Sequence, residues 1–267
     1  MNNTFIYNLI NGCKKKVVTG ILFFSVVNLL STHIVKAQVM ADQIVGHAIE
    51  KAGGDRYEKA VIQFTFRGNH YQSSRKNDIF QLERTIIKPE GLLQDIINNQ
   101  GFERYLDHCP LIVEDSLITR ISDGINSVHY FALLPYGLNA PAVRKKLAGE
   151  TVIKNQPYYK IEVTFSKEGG GTDFEDVFMY WIHKEEFTVD YLAYQYAVNG
   201  GGIRFREAFN PRVINGIRFV DYKNYKTDDL KTPLKNLDRL FEKQKLKLLS
   251  EIKTENIRVN FVESDCC

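Results

Sequence analysis

The sequence predicts an α+β protein built on a single curved antiparallel β-sheet, an open half-barrel covered by helices. Apolar residues recur at helical spacing near the two ends of the folded part, in residues 39–52 and 232–249. Between them, short alternating runs are separated by glycine-rich turns and by Asn215-Gly216, a pair typical of hairpins. No helical pattern links the late strands, which excludes a parallel barrel and a doubly wound nucleotide-binding fold.

The first 37 residues have the three parts of a secretory signal. Three lysines, residues 14–16, precede an apolar stretch over residues 17–30, and small or medium side chains lead to Ala37. The alternative, a transmembrane anchor, needs about 20 consecutive apolar residues, more than this stretch contains. We therefore predict cleavage after Ala37 and one α+β domain over residues 38–267, with no membrane span after cleavage.

Removal of this segment changes the charge of the protein. The whole chain has 35 Lys and Arg residues against 32 Asp and Glu residues, a formal net charge of +3. The segment holds four lysines and no acid, so 31 basic residues then face 32 acidic ones, a net charge of −1. A nucleic-acid partner loses its electrostatic basis.

Three cysteines, Cys109, Cys266 and Cys267, remain after cleavage. Their spacing does not match a zinc site. An odd number in an oxidising compartment leaves one thiol unpaired or bridged to another molecule. Whether Cys109 pairs with the C-terminal cysteines stays open, as does the oligomeric state.

The first half of the domain mixes helix and strand signals. The helix over 39–52 ends at a Gly-Gly pair, and the strands 61–67 and 79–87 form a hairpin around a polar loop, 68–78. Pro141 and a following apolar run predict a short helix over 142–147. Three runs fit more than one kind of element, namely 91–99 as helix or connection and 111–122 and 127–134 as strand or buried helix.

The second half is predicted to be an antiparallel meander. Thr232 and Pro233 mark the start of the closing helix over 232–249. An edge strand over 257–262 comes after this helix. The predicted strands of the meander cover residues 158–165, 177–183, 187–198, 203–209 and 217–225.

Two of these strands are apolar on both faces, in residues 177–182 and 191–197. A sheet with one solvated face alternates cleanly, so both faces must be covered. The cover is either a packed core under the helices or a pocket for an acyl chain or another apolar ligand. Arg204 and Arg206 share a face by period two and could hold one anion together. The candidate ligand-binding residues are Phe178, Tyr180, Trp181, Tyr191, Tyr194, Tyr196, Arg204 and Arg206.

Two sets of residues carry resemblances to known families. Residues 147–153, 158–163 and 180–182 resemble a passage of the lipoprotein-carrier superfamily of the bacterial envelope. This resemblance implies a curved antiparallel sheet and an apolar ligand or lipoprotein as partner.

Residues 126–131, 190–194 and 204–208 resemble an uncharacterised family of exported bacterial proteins. Some members of that family carry a deoxyribose-phosphate aldolase label, which the residues do not support. An aldolase of that kind needs a Schiff-base lysine on a parallel barrel, whereas alternation assigns Lys160 to the polar face of an antiparallel strand.

Signals for other chemistry are missing. The sequence contains no Gly-x-Ser-x-Gly nucleophile motif and no phosphate-binding loop that opens a helix, and its histidines lack metal-ligand spacing. We predict no cofactor and no metal. Charged residues on the strands are expected to form cross-strand pairs on a solvated face.

The sequence therefore favours an exported, non-enzymatic envelope protein of the periplasm or outer membrane that binds or carries a lipid, an acyl chain or a lipoprotein in a concave sheet pocket. One alternative is an envelope hydrolase with an unrecognised site, marked by His129 and perturbed carboxylates in one cleft. The other is an envelope scaffold protein whose concave face is filled.

Overall fold

The computed structural model describes residues 40–76, 79–169, 174–196 and 201–261. The predicted signal segment and the two C-terminal cysteines lie outside these residues. The first helix, α1, covers residues 40–52, as the apolar spacing predicts, and its apolar side chains Ala41, Val45 and Ala48 are buried. Cys109 is exposed.

Seven antiparallel strands form the first sheet. They are β1 (Ala60–Phe66), β2 (Asn69–Lys76), β3 (Ile79–Lys88), β4 (Gly91–Asn98), β5 (Gly101–Leu106), β6 (Cys109–Pro110) and β14 (Glu255–Phe261). Their order in the sheet is β14-β1-β2-β3-β4-β5-β6. The first and last strands of the chain are therefore neighbours, with Ala60 paired to Phe261.

The second sheet also has seven antiparallel strands. They are β7 (Val143–Ile153), β8 (Gln156–Phe165), β9 (Val177–His183), β10 (Val189–Tyr196), β11 (Gly202–Ile214), β12 (Ile217–Lys226) and β13 (Lys247–Ile252). Their order is β13-β12-β11-β10-β9-β8-β7. Asn215 and Gly216, both at positive φ, form the hairpin turn between β11 and β12.

The predicted fold class, an antiparallel sheet with helices packed against it, is confirmed. Hydrogen bonding divides the strands between two sheets where a single one was expected. The sheets adjoin at the β11–β12 turn, where the amide of Asn215 donates to the backbone oxygen of Val259 over 2.7 Å. Ile217 and Phe219 of the second sheet share a buried apolar cluster with Phe64 of the first.

Helices cover both faces of the second sheet. On one face, α1 and the 18-residue helix α2 (Asp115–Ala132) pack against β8, β9 and β10. On the opposite face, Leu234 and Leu237 from a 3₁₀ turn (Leu234–Asn236) and α3 (Leu237–Glu242) pack against Trp181 and Phe205. The strands that are apolar on both faces are thus covered on both faces. None of the helices among the described residues is both long and apolar enough to span a membrane.

The polar segment 68–78, predicted as a loop, contains β2. Its side chains alternate in burial, with Tyr71 and Ser73 facing the core. On the opposite face, Gln72 lies between Gln63 and Glu83 and is hydrogen bonded to both. Backbone pairing supplies the strand's stability, so few apolar side chains are required, and the sequence pattern is correspondingly weak.

The predicted helix over 142–147 is wrong, because these residues begin β7. Val143 and Lys145 are buried while Arg144 and Lys146 are exposed, which is the period of a strand. The helical turn that the preceding prolines and glycine indicate lies earlier, at Tyr136–Asn139.

The predicted helix over 232–249 is too long. Its helical part ends at Glu242, and Gln244 adopts a positive φ of 55° that a continuing helix does not allow. Leu248 and Leu249, expected on the apolar stripe, are exposed on edge strand β13.

Lys160 does not lie on a solvated face, although alternation suggested one. It is buried on the face covered by α3, where its ammonium lies 2.5 Å from a carboxylate oxygen of Asp238 and donates to the backbone oxygen of Lys235. Alternation correctly assigned Lys160 to the face of β8 opposite Ile161, but the segment that contains α3 covers this face and buries it. The remaining predicted strands and the edge strand near the C-terminus are confirmed within one to three residues at most boundaries.

Candidate ligand pocket

A pocket of about 220 Å³ lies beneath the C-terminal half of α2, where the two sheets adjoin. Its wall combines the end of the first sheet, four residues of α2 and three strands of the second sheet. The lining residues are Phe66, Arg67, Ser127, Val128, Phe131, Ala132, Arg206, Val220, Tyr222, Ile252 and Thr254. Six of the eleven lining residues are apolar, and the polar ones include two arginines and no carboxylate.

Arg206 of β11 provides the charged part of the inner wall. Its side chain is buried, and its guanidinium lies 3.8 Å from the ring centroid of Phe131 and 5.1 Å from that of Tyr194. One guanidinium nitrogen donates to the Tyr194 hydroxyl over 2.8 Å. The buried Nε has no hydrogen-bond partner among the described residues. Arginine and aromatic rings here form cation–π contacts.

An aromatic cluster lies beside Arg206 on the same face of the second sheet. Phe178 stacks on Tyr194 with centroids 5.5 Å apart, and Tyr180 shares a short hydroxyl–hydroxyl hydrogen bond with Tyr130 of α2. Burial raises the pKa of both hydroxyls of that pair, so both remain protonated near neutral pH. The cluster is packed, and it supports the pocket wall without opening a larger cavity.

The other predicted ligand-binding residues lie elsewhere. Trp181 and Tyr191 face the opposite side of the second sheet, under α3. Arg204 shares the face of Arg206 but donates to the Tyr196 hydroxyl over 2.6 Å and is absent from the pocket lining. Of the eight predicted residues, Arg206 alone lines this pocket, while Phe178, Tyr180 and Tyr194 pack near it.

Sequence reasoning missed the residues that α2 contributes. The run 127–134 was compatible with strand or buried helix, so Val128 and Phe131 could not be assigned to a pocket. The helical spacing of Ile125, Val128 and Phe131 was the available signal. Tyr222 was correctly assigned to a strand. It lines a pocket only because the two sheets adjoin beside it, which the sequence does not indicate.

A match to a family model covers residues 19–254 and carries the description "Family of unknown function (DUF6503)". The chain belongs to the DUF6503 family. The prediction of an uncharacterised family is thereby confirmed. A search of the curated proteins found no significant match to this DUF6503 chain.

Solved structures similar to the DUF6503 chain include a DUF1329 family protein from Desulfovibrio piger, at 13% identity and a TM-score of 0.47, covering 84% of this chain and 95% of that one. A LolA superfamily protein from Nitrosomonas europaea matches at 13% identity and a TM-score of 0.45, covering 84% and 94%. A putative outer membrane lipoprotein-sorting protein domain from Vibrio parahaemolyticus matches at 9% identity and a TM-score of 0.35, covering 84% and 95%. These values are too low to support an inference about ligand or function.

The lining of the pocket in the DUF6503 chain contains no histidine, aspartate or glutamate. Tyr222 does line the pocket, and burial raises its pKa to about 12. His129 lies on α2 but is buried against the first sheet, where its Nε2 donates to the backbone oxygen of Glu83 over 3.2 Å. Asp190, whose pKa is raised by burial, lies on β10 and accepts from Thr188 and Tyr158. The described residues contain no group of three or more potential ligands arranged to hold a metal ion.

Two further pockets have linings that mix polar and apolar residues. One, of about 970 Å³, lies between the end of α1 and the turn at Tyr136–Asn139, with charges of both signs such as Glu58 and Lys59. The other, of about 360 Å³, is lined by first-sheet residues that include His70 and Glu83. Neither contains a residue of the predicted ligand-binding set. The pocket beneath α2 is the better candidate because it alone of these three contains a residue of the predicted ligand-binding set, Arg206, beside apolar side chains.

Proposed function

We propose that this DUF6503 protein is exported to the bacterial envelope and binds or carries an apolar ligand, such as a lipid, an acyl chain or a lipoprotein, without catalysing a reaction. The observation that carries the proposal is the pocket lined by α2 and both sheets, in which apolar side chains surround the buried Arg206. Export rests on the signal-like segment that ends at Ala37. The pocket lining contains no histidine and no carboxylate, which favours binding over hydrolysis.

The dimensions of the pocket assign a role to α2. At about 220 Å³, the pocket is below the roughly 300–1,000 Å³ of typical small-molecule sites. A complete acyl chain therefore requires α2 to move away from the sheets. Phe131 and Val128, which form the roof, would then expose apolar surface that the chain covers.

Native mass spectrometry tests the proposal directly. The full-length chain is expressed in a bacterial host, and the processed protein is purified from the envelope fraction without detergent. We expect a co-purifying mass that extraction with organic solvent removes. A bare polypeptide mass that stays unchanged after incubation with a lipid extract would refute the proposal.

A pocket-filling variant tests whether the ligand occupies this site. Ala132→Phe adds a ring to the roof, and we expect it to reduce the co-purifying mass at least several-fold because the ring takes the ligand's space. Ile112→Phe makes a comparable substitution at a fully exposed position and should leave the mass unchanged. Equal ligand content in both variants would locate the ligand elsewhere.

A further inference from the structure

Arg206 differs from the other buried basic side chains of the described residues. Lys145 lies 3.1 Å from Asp42, and Lys160 lies 2.5 Å from Asp238, so each has a carboxylate. No carboxylate of the described residues lies within 4.0 Å of the Arg206 guanidinium. A buried cation that lacks a counter-ion is costly, because burial removes its hydration.

The contacts of Arg206 leave part of this cost uncompensated. The guanidinium lies within 6 Å of the ring centroids of Phe131, Tyr194 and Tyr222, and it donates one hydrogen bond to the Tyr194 hydroxyl. Its Nε is buried without a partner among the described residues. Guanidinium groups bind oxyanions in a planar, multidentate geometry, and the donors of Arg206 are thus incompletely used by the described residues.

The other charged residue of the pocket lining, Arg67, is also positive. Arg67, in the turn after β1, is exposed and lines the pocket, and it forms no ion pair with a described residue. Ser127 and Thr254 add hydroxyl groups. The lining thus contains two positive charges, hydroxyl groups and an apolar wall, with no negative charge among its residues.

From this arrangement we infer that the ligand is an anionic amphiphile: an apolar chain that carries a carboxylate or a phosphate monoester, whose oxyanion binds Arg206. Arg67 adds long-range attraction at the pocket rim. The chain lies against the apolar wall formed by Phe66, Val220 and Ile252. This inference rests on the proposed function, because it names the chemical class of ligand for the same pocket.

The test compares ligands that differ only in charge. The full-length chain is expressed, and the processed protein is stripped of lipid and titrated calorimetrically with dodecanoate, with dodecanol, and with acetate and inorganic phosphate. We expect dodecanoate to bind about tenfold or more tightly than dodecanol, since a charge-assisted hydrogen bond is retained. Acetate and inorganic phosphate should bind weakly because they lack the chain.

Variants locate the anion. Arg206→Gln should weaken dodecanoate binding by about 10- to 100-fold and dodecanol binding much less, because only dodecanoate loses a charge-assisted hydrogen bond. Arg67→Gln, at an exposed position that folding tolerates, should weaken dodecanoate by about threefold through lost attraction at the rim. Arg239→Gln removes the same charge from an exposed site on α3 and should have no effect.

The outcomes separate the inference from the proposed function. Equal affinities for dodecanoate and dodecanol would overturn the anion inference while the apolar pocket stands. Binding of neither compound, together with no co-purifying lipid, would overturn both. Inorganic phosphate that binds as tightly as dodecanoate would replace the amphiphile with a free anion. If Arg206→Gln does not fold, an unchanged dodecanoate affinity in Arg67→Gln would count against the inference.

Discussion

His129 predicts a specific loss of stability on acidification. Burial is the main cause that lowers the pKa of His129 from 6.5 to about 4. The hydrogen bond to the Glu83 backbone oxygen raises this pKa, and the charge of Arg75 lowers it by a smaller amount. Since the folded pKa lies below the unfolded one, the unfolded chain binds the proton first as pH falls. Stability is therefore present above pH 6.5 and is lost as pH falls towards 4.

The magnitude is set by the size of the pKa difference. The full difference corresponds to about 3 kcal/mol, of which about 2 kcal/mol is lost between pH 7 and pH 5. The His129 ring is buried between Phe64 and Tyr71, each with its centroid 5.6 Å away, so solvent does not screen the charge that protonation creates. Protonation of His129 therefore weakens the packing of α2 on the first sheet.

Urea unfolding at pH 7, 6 and 5, followed by circular dichroism, measures this loss. His129→Gln removes the titrating ring, and the pH dependence over this range should shrink by about 2 kcal/mol relative to the unaltered protein. The other titrating groups, among them Asp190 with its raised pKa, are the same in both proteins, so the difference between the two isolates His129. If the variant and the unaltered protein lose equal stability between pH 7 and pH 5, His129 is not the buried neutral group described above.

Three further predictions concern the ion pair, a turn and the strand arginines. Lys160→Met should destabilise the protein by about 3–5 kcal/mol, measured by urea unfolding, because Asp238 is left buried without its cation, and adding Asp238→Leu should recover most of the loss. Gly91→Ala should cost about 1–3 kcal/mol in the same assay, since its φ of +133° is strained for a side-chain-bearing residue; a loss below about 0.5 kcal/mol would contradict this. Charge reversal of Arg204 and Arg206 together should lower the retained ligand at least tenfold by native mass spectrometry, and full retention would refute a role for both.

Local patterns predicted α1, β1, β3 and the strands β8 to β12 from spacing and turn residues alone. They did not identify β4, which was expected to be a helix or a connection, or β7 and β13, whose first residues fell in predicted helices. β2 was not recognisable, because its stability comes from backbone pairing and from amide hydrogen bonds such as Gln63 to Gln72. The helix predicted over 142–147 was wrong because proline and glycine signals mark a turn without defining the next element.

The candidate site was only partly predictable for a related reason. The sequence established that residues 177–182 are apolar on both faces of their strand and that Arg204 and Arg206 share a face. It could not establish which side holds a pocket, because Phe178 and Trp181 are equally apolar. Their positions on opposite faces become informative only through α2 and α3, which cover those faces.

By itself, the sequence determined the α+β class, the antiparallel pairing of neighbouring strands from β8 to β12 and the residues that are apolar on those strands. Those properties depend on contacts between residues close along the chain. The tertiary structure decided the division into two sheets, the burial of Lys160 and the position of Arg206 beside Phe131 without a carboxylate. These three features depend on which distant segment covers a given face of a sheet. Because hydrophobic packing is non-directional, no local sequence pattern specifies which segment that is.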